Sequence, residues 1–156
     1  MMKKAHIILL LSIITSTSFA QVKFNTGNVE FDTDLGIINT KAKLDLKTFK
    51  VDLNISHNLP FPKIEELLKI LEPVEIILAK DIADIVNKPI DDVVVSYKKN
   101  KEKGWGVIAK EMGIKPGSPE FHALKGKTKK GKDKGNSQGK GKGSEKSNGK
   151  GKGKKA

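Results

Sequence analysis

Few residues of this chain have types and spacing suited to covalent chemistry. Beyond the first 20 residues there are two histidines, His57 and His122, and there is no cysteine anywhere. Zinc sites draw most of their ligands from those two residue types, so the inventory supplies no metal set. Ser56, Ser96 and Ser118 stand in no spacing that presents a histidine as base and a carboxylate to orient it. Ser118 already suits a helix cap. Asp32 and Asp34 ahead of Gly36 form part of a calcium-loop pattern, but a third oxygen ligand before the glycine is missing. A solvated turn is the simpler reading. Any pair of carboxylates can do acid–base work in principle, yet no pair here is singled out. The sequence therefore assigns no catalytic residue, no cofactor and no small-molecule substrate, and a non-enzymatic role is expected.

The strongest signal is charge. The formal net charge is +12, and it is unevenly distributed. Residues 21–124 hold 15 lysines against 16 carboxylates, a balance of −1, whereas residues 125–156 hold 13 lysines against 2, a balance of +11. Lysine and glycine dominate this last stretch, and its only aliphatic residue is the terminal alanine. It has too little apolar surface to offset the entropy of ordering, so a disordered tail is expected over 125–156. Lys125, Lys127, Lys129, Lys130, Lys132, Lys134, Lys140, Lys142, Lys150, Lys152, Lys154 and Lys155 are the candidate polyanion-binding residues. Suitable partners are anionic polymers or a membrane surface: envelope lipid, polysaccharide or extracellular DNA. The chain has no arginine, so the contacts would lack the bidentate fork and select poorly among anions. No aromatic residue interrupts the run, so base stacking from the tail is ruled out. A purely solubilising tail remains the alternative.

The remainder must supply the fold. Lys3 and Lys4, the apolar run Ile7–Ile14 and the small residues ending at Ala20 read as a signal peptide over 1–20, which implies an exported, periplasmic or secreted protein. An exported chain without cysteines gains no disulfides and is held by its core alone. Residues 21–60 are ambiguous. Val29, Phe31, Leu35 and Ile37 share one parity, as in a half-buried strand, so this segment can hold a β-hairpin. Leu46, Phe49 and Leu53 fit either a strand or a helix. Over 61–124 the spacing i, i+3, i+4, i+7 recurs in four segments: Ile64 to Leu71, Val74 to Ile85, Ile90 to Tyr97, and Trp105 to Met112. Such stripes must be buried against one another. The expected fold is mostly α, a small bundle of four to five short helices with Trp105 and Tyr97 at its centre. Pro73 and Pro89 sit where helices begin, and Gly113 where one ends.

The stretch 104–125, GWGVIAKEMGIKPGSPEFHALK, resembles the ending shared by a family of small exported bacterial proteins, with similarity reaching back through Pro89–Lys101. The resemblance implies a shared fold and export, favours a helix near Leu46–Ser56, and transfers no functional residue. Two functional readings follow. The first is a non-enzymatic exported binding or surface-association module attached through its cationic tail. The second is a periplasmic nucleic-acid-binding or envelope-stress regulator using the short helices at 89–112, read as a helix-turn-helix. That unit needs hydrogen-bond donors at the start of its second helix. Gly104, Trp105, Gly106 and Val107 offer almost none. Trp105 itself reads as core, with a ligand-stacking platform as its alternative.

Overall fold

The computed structural model describes residues 23–134, and side chains at 129 and 131–134 are not part of that description. The expected signal peptide lies outside it, as do residues 135–156. Within it the chain forms seven α-helices: α1 (Val29–Leu44), α2 (Leu46–His57), α3 (Phe61–Leu67), α4 (Pro73–Val86), α5 (Ile90–Asn100), α6 (Trp105–Glu111) and α7 (Pro119–Lys134). A 3₁₀ turn at Lys101–Lys103 joins α5 to α6. No strand occurs among the described residues.

Local chemistry sets the boundaries. Asn28 caps α1 by accepting from the Phe31 N–H at 2.9 Å, and Asp45 caps α2 by accepting from the Thr48 N–H at 3.0 Å. Asn58 and Asn87 end α2 and α4 in the left-handed region, at φ 51° and 52°, which asparagine tolerates better than most residues. Pro73 opens α4, and the preceding Glu72 N–H donates to the Glu75 carboxylate at 2.9 Å. On α5, Asp91 and Asp92 occupy the first turn and Lys98 and Lys99 the last, matching the helix dipole.

Helix α4 is the axis of the core, with Val74, Ile76, Leu78, Ala79 and Ile82 all fully buried. Helices α1 and α7 pack on it together, α5 lies on it separately, and α6 packs on α5. Phe31 of α1 meets Phe121 of α7 edge to face, with ring centroids 6.2 Å apart. Trp105 is buried, and Tyr97 packs beside it at 5.4 Å but is only partly covered.

The strand reading of the N-terminal segment gives way to helix. Helix α1 buries Phe31, Leu35, Ile38 and Ala42, a helical spacing, and leaves Val29 84% exposed. The apparent alternation came from surface apolar residues, Val29 and Ile37, sharing parity with core ones. Over the ambiguous stretch α2 buries only Phe49 and Leu53, while Ile55 is 75% exposed. The expected tail is also corrected at its start. Helix α7 runs to Lys134, through the first positions of the stretch expected to be disordered. Leu124 and Thr128 on its inner face are buried, so the packed surface continues past the boundary at 125.

The two glycines beside Trp105 have a structural reason. Residues 24–26 run across the start of α6, where the Trp105 N–H donates to the Phe24 carbonyl at 2.7 Å and the Gly106 N–H to the Asn25 carbonyl at 3.0 Å. A Cβ at Gly104 would lie 2.3 Å from the Asn25 Cβ, and one at Gly106 would lie 2.9 Å from the Thr26 carbonyl oxygen. Only glycine permits that approach.

Candidate functional site

Helix α2 contacts α1, α3 and α4, and its residues line one space together with those of α7. That space is a cleft of about 560 Å³. Its apolar walls come from Ile38 and Ala42 on α1, Phe49 and Leu53 on α2, and Ile77 on α4. Its polar groups are supplied by each bounding helix: Lys41 on α1, Asp52 and His57 on α2, Asp81 and Asp84 on α4, Lys127 and Lys130 on α7.

Asp81 is the anomalous group. It lies in the middle of α4, the most apolar helix, and only 2% of its surface is exposed. One carboxylate oxygen, Oδ1, lies 3.8 Å from Nδ1 of His57 and 3.7 Å from Nζ of Lys127. The other, Oδ2, is buried with no hydrogen-bond partner among the described residues. Burial raises the Asp81 carboxyl to about 6, against the opposing pull of Lys127 and with a smaller push from Asp84. Lys127 is shared, since Asp84 Oδ2 lies 3.6 Å from it. Lys80 also pairs with Asp84, one helical turn along.

Chemically, the cleft offers a buried carboxyl that takes up a proton near pH 6, an apolar wall and a mixed-charge mouth. The 3.8 Å gap between His57 and Asp81 exceeds hydrogen-bond length. The two do not form a positioned acid–base dyad. A concave, mainly apolar space with a few convergent polar groups has the makeup of a binding site.

Of the lysines expected to meet polyanions, three have described side chains. Lys125 pairs with Glu30 of α1 at 3.3 Å, Lys127 is engaged with Asp81 and Asp84, and Lys130 projects from the cleft wall. Lys129, Lys132 and Lys134 lie on α7. Lys140, Lys142, Lys150, Lys152, Lys154 and Lys155 are outside the described residues. The root of the cationic run is thus tied to the fold. His57 reaches the cleft, whereas His122 is on the outer side of α7, its ring 6.5 Å from that of Phe121. Asp32 and Asp34 both fall inside α1, where Asp32 accepts from the Thr26 N–H at 3.0 Å and Asp34 is buried. Among the described residues no group of three or more His, Cys, Asp or Glu side chains is placed to hold a metal ion.

Two other polar networks are structural. Buried Glu75 accepts from the Trp105 indole N–H at 2.9 Å and from the Tyr97 hydroxyl at 3.2 Å. Burial, then the Glu75 charge, pushes the Tyr97 hydroxyl up to about 12. Glu111 accepts from the Ser96 hydroxyl at 2.7 Å and from Lys99, which together hold its carboxyl below the usual range. The start of α6 is therefore engaged twice, by Glu75 through the Trp105 indole and by residues 24–26 through the backbone.

Sequence reasoning missed Asp81, although a signal was present. Ile77, Leu78, Asp81 and Ile82 share the inner face of α4, so a carboxylate occupies a core register. Comparison with protein families, with curated proteins and with solved structures finds no match to this chain.

Proposed function

We propose that the protein is a non-enzymatic exported binding or surface-association module whose lysine-rich C-terminal end contacts polyanions. The observation that carries this reading is the separation of charge: −1 over residues 21–124 and +11 over residues 125–156. A helical root strengthens it. Helix α7 is anchored by Phe121, Leu124 and Thr128, so the first lysines of the run are held on the fold. Many weak lysine contacts to phosphate or sulfate release counterions, so attachment falls steeply with salt. Near an anionic bilayer each lysine contributes roughly 1 kcal/mol.

The test compares the full chain with one ending at Lys134, which retains α7. Binding to heparin, duplex DNA and lipopolysaccharide is followed through a salt series. Loss of most affinity on shortening, with a shallower salt slope, supports attachment through the lysine run. Undiminished DNA binding by the shortened chain overturns it and favours the nucleic-acid reading of 89–112. Absence of binding by either chain leaves the run as a solubiliser and also overturns the proposal.

A further inference from the structure

We propose that the cleft bounded by α1, α2, α4 and α7 binds a primary amine carried on a hydrocarbon body, its ammonium donating to the carboxylate of Asp81. The ligand is a small cation, so the site goes beyond polyanion attachment and stands whether or not that attachment occurs. Three observations converge on it.

The first is the buried carboxylate. Asp81 is 2% exposed, and its Oδ2 has no hydrogen-bond partner among the described residues, a state that costs free energy until a donor is supplied. The cations nearest Oδ1, His57 Nδ1 at 3.8 Å and Lys127 Nζ at 3.7 Å, lie beyond ordinary hydrogen-bond length. Both residues line the cleft, so Oδ1 is the oxygen on the cleft side. An ammonium brings three N–H donors to one compact centre. It donates to Oδ1 as it enters, and the broad terminal torsion of an aspartate lets Oδ2 turn toward the same donor. Donation from a cation to a carboxylate is about twice as strong as donation between neutral groups. An amine is therefore favoured over an alcohol.

The second is charge. Asp45, Asp52, Asp81 and Asp84 line the cleft against three lysines, Lys41, Lys127 and Lys130. Lys41 and Lys130 are exposed, and their long stems let the charged ends turn to water. Lys127 is divided between Asp81 and Asp84, and Asp84 also holds Lys80. With an ammonium on Asp81, Lys127 and Lys80 stay with Asp84. Asp52, exposed and without an ion pair among the described residues, balances the added charge. An anionic head would instead place a fifth negative group beside a buried carboxylate.

The third is size and lining. About 560 Å³ falls within the roughly 300–1,000 Å³ usual for small-molecule sites. Ile38, Ala42, Phe49, Leu53 and Ile77 supply aliphatic and aromatic surface along which the hydrocarbon body lies.

The experiment uses the purified full-length protein and a dansyl-labelled alkylamine with a free primary amine as the probe. Octylamine, octyltrimethylammonium, octanol and octanoate compete for it. Octylamine is expected to displace the probe best. Octanol, without the charge, and octyltrimethylammonium, with the charge but no N–H donor, should each be weaker by about five- to tenfold. Octanoate should be weakest. Asp81→Asn should cost octylamine about tenfold and leave it no better than octanol. Ser56→Trp obstructs the mouth from an exposed cleft-lining position and should abolish probe binding. Failure of the parent to bind the probe overturns the proposal. Equal displacement by octylamine and octanol, the result if any donor suffices, overturns the amine assignment, and equal displacement by octyltrimethylammonium overturns donation. A preference for octylamine that persists in Asp81→Asn overturns the anchor. Probe binding that survives Ser56→Trp, in a variant whose circular dichroism matches the parent, overturns the site.

Discussion

Replacing Asp81 by asparagine keeps its shape and removes its charge, which makes it the sharpest test of the cleft's electrostatics. In the unfolded chain this carboxyl titrates near 3.8, and in the fold it titrates near 6 because burial disfavours the anion. The folded state therefore holds the proton more tightly. Below about pH 4 both states are protonated and the group contributes nothing. As pH rises from about 4 to about 6 the unfolded chain loses its proton first, and stability falls. Above about pH 6 the full cost is present. A difference of about two units corresponds to about 3 kcal/mol. Asp81→Asn lacks that loss, so the variant should gain on the parent by about 2–3 kcal/mol between pH 4 and pH 7.5. The assay is urea unfolding followed by fluorescence of Trp105, the only tryptophan in the chain. The reading is the parent-minus-variant difference as a function of pH. Repeating both measurements with His57→Gln isolates the Asp81 titration from the imidazole 3.8 Å away. A difference that is flat across this range refutes the argument from burial. One that runs the other way, with Asp81 stabilising as an anion, shows that the neighbouring lysines, Lys127 first, outweigh desolvation.

Further outcomes follow from the packing. Gly104→Ala combines a left-handed φ of 86° with an approach of 2.3 Å to Asn25, and should cost about 3 kcal/mol or more in urea unfolding. Gly36→Ala meets nothing within 4 Å in mid-helix and should stabilise by about 0.5–1 kcal/mol in the same assay. Trp105→Phe leaves the buried Glu75 without its indole donor, and a loss of about 1–3 kcal/mol is expected from thermal or urea melts. A chain ending at Lys134 should melt with the full chain, whereas one ending at Leu124 loses the buried Thr128 and the Lys127 pairs and should melt lower.

Where helices announce themselves by a single stripe and a stop signal, the sequence was sufficient. The α4 to α6 segments begin and end near Pro73, Pro89, Asn87 and Gly113, as capping chemistry requires. The N-terminal helices were hidden because α1 exposes Val29 and Ile37 while burying Asp34 and Asn39, which blurs any apolar face. Asn39 is buried for a tertiary reason, since its carbonyl oxygen accepts from the Val74 N–H at the start of α4. No local pattern encodes that. The extension of α7 was hidden by composition: after Phe121 and Leu124 the inner face continues through a threonine, Thr128, amid lysine and glycine. The cleft requires four helices to be assembled before it exists, so the sequence could mark Asp81 as misplaced but not show what surrounds it.

The meeting of α1 with α7 has a kinetic consequence. Glu30 and Lys125, 95 positions apart, are joined in one ion pair beside the Phe31–Phe121 contact. Closing so long a loop is entropically slow, and α4 stays partly uncovered until it closes. A ribosome-bound chain still lacking its last helix thus cannot complete this core, and a chain threaded amino-end first through a translocation pore would reach its native state only after nearly all of it had emerged.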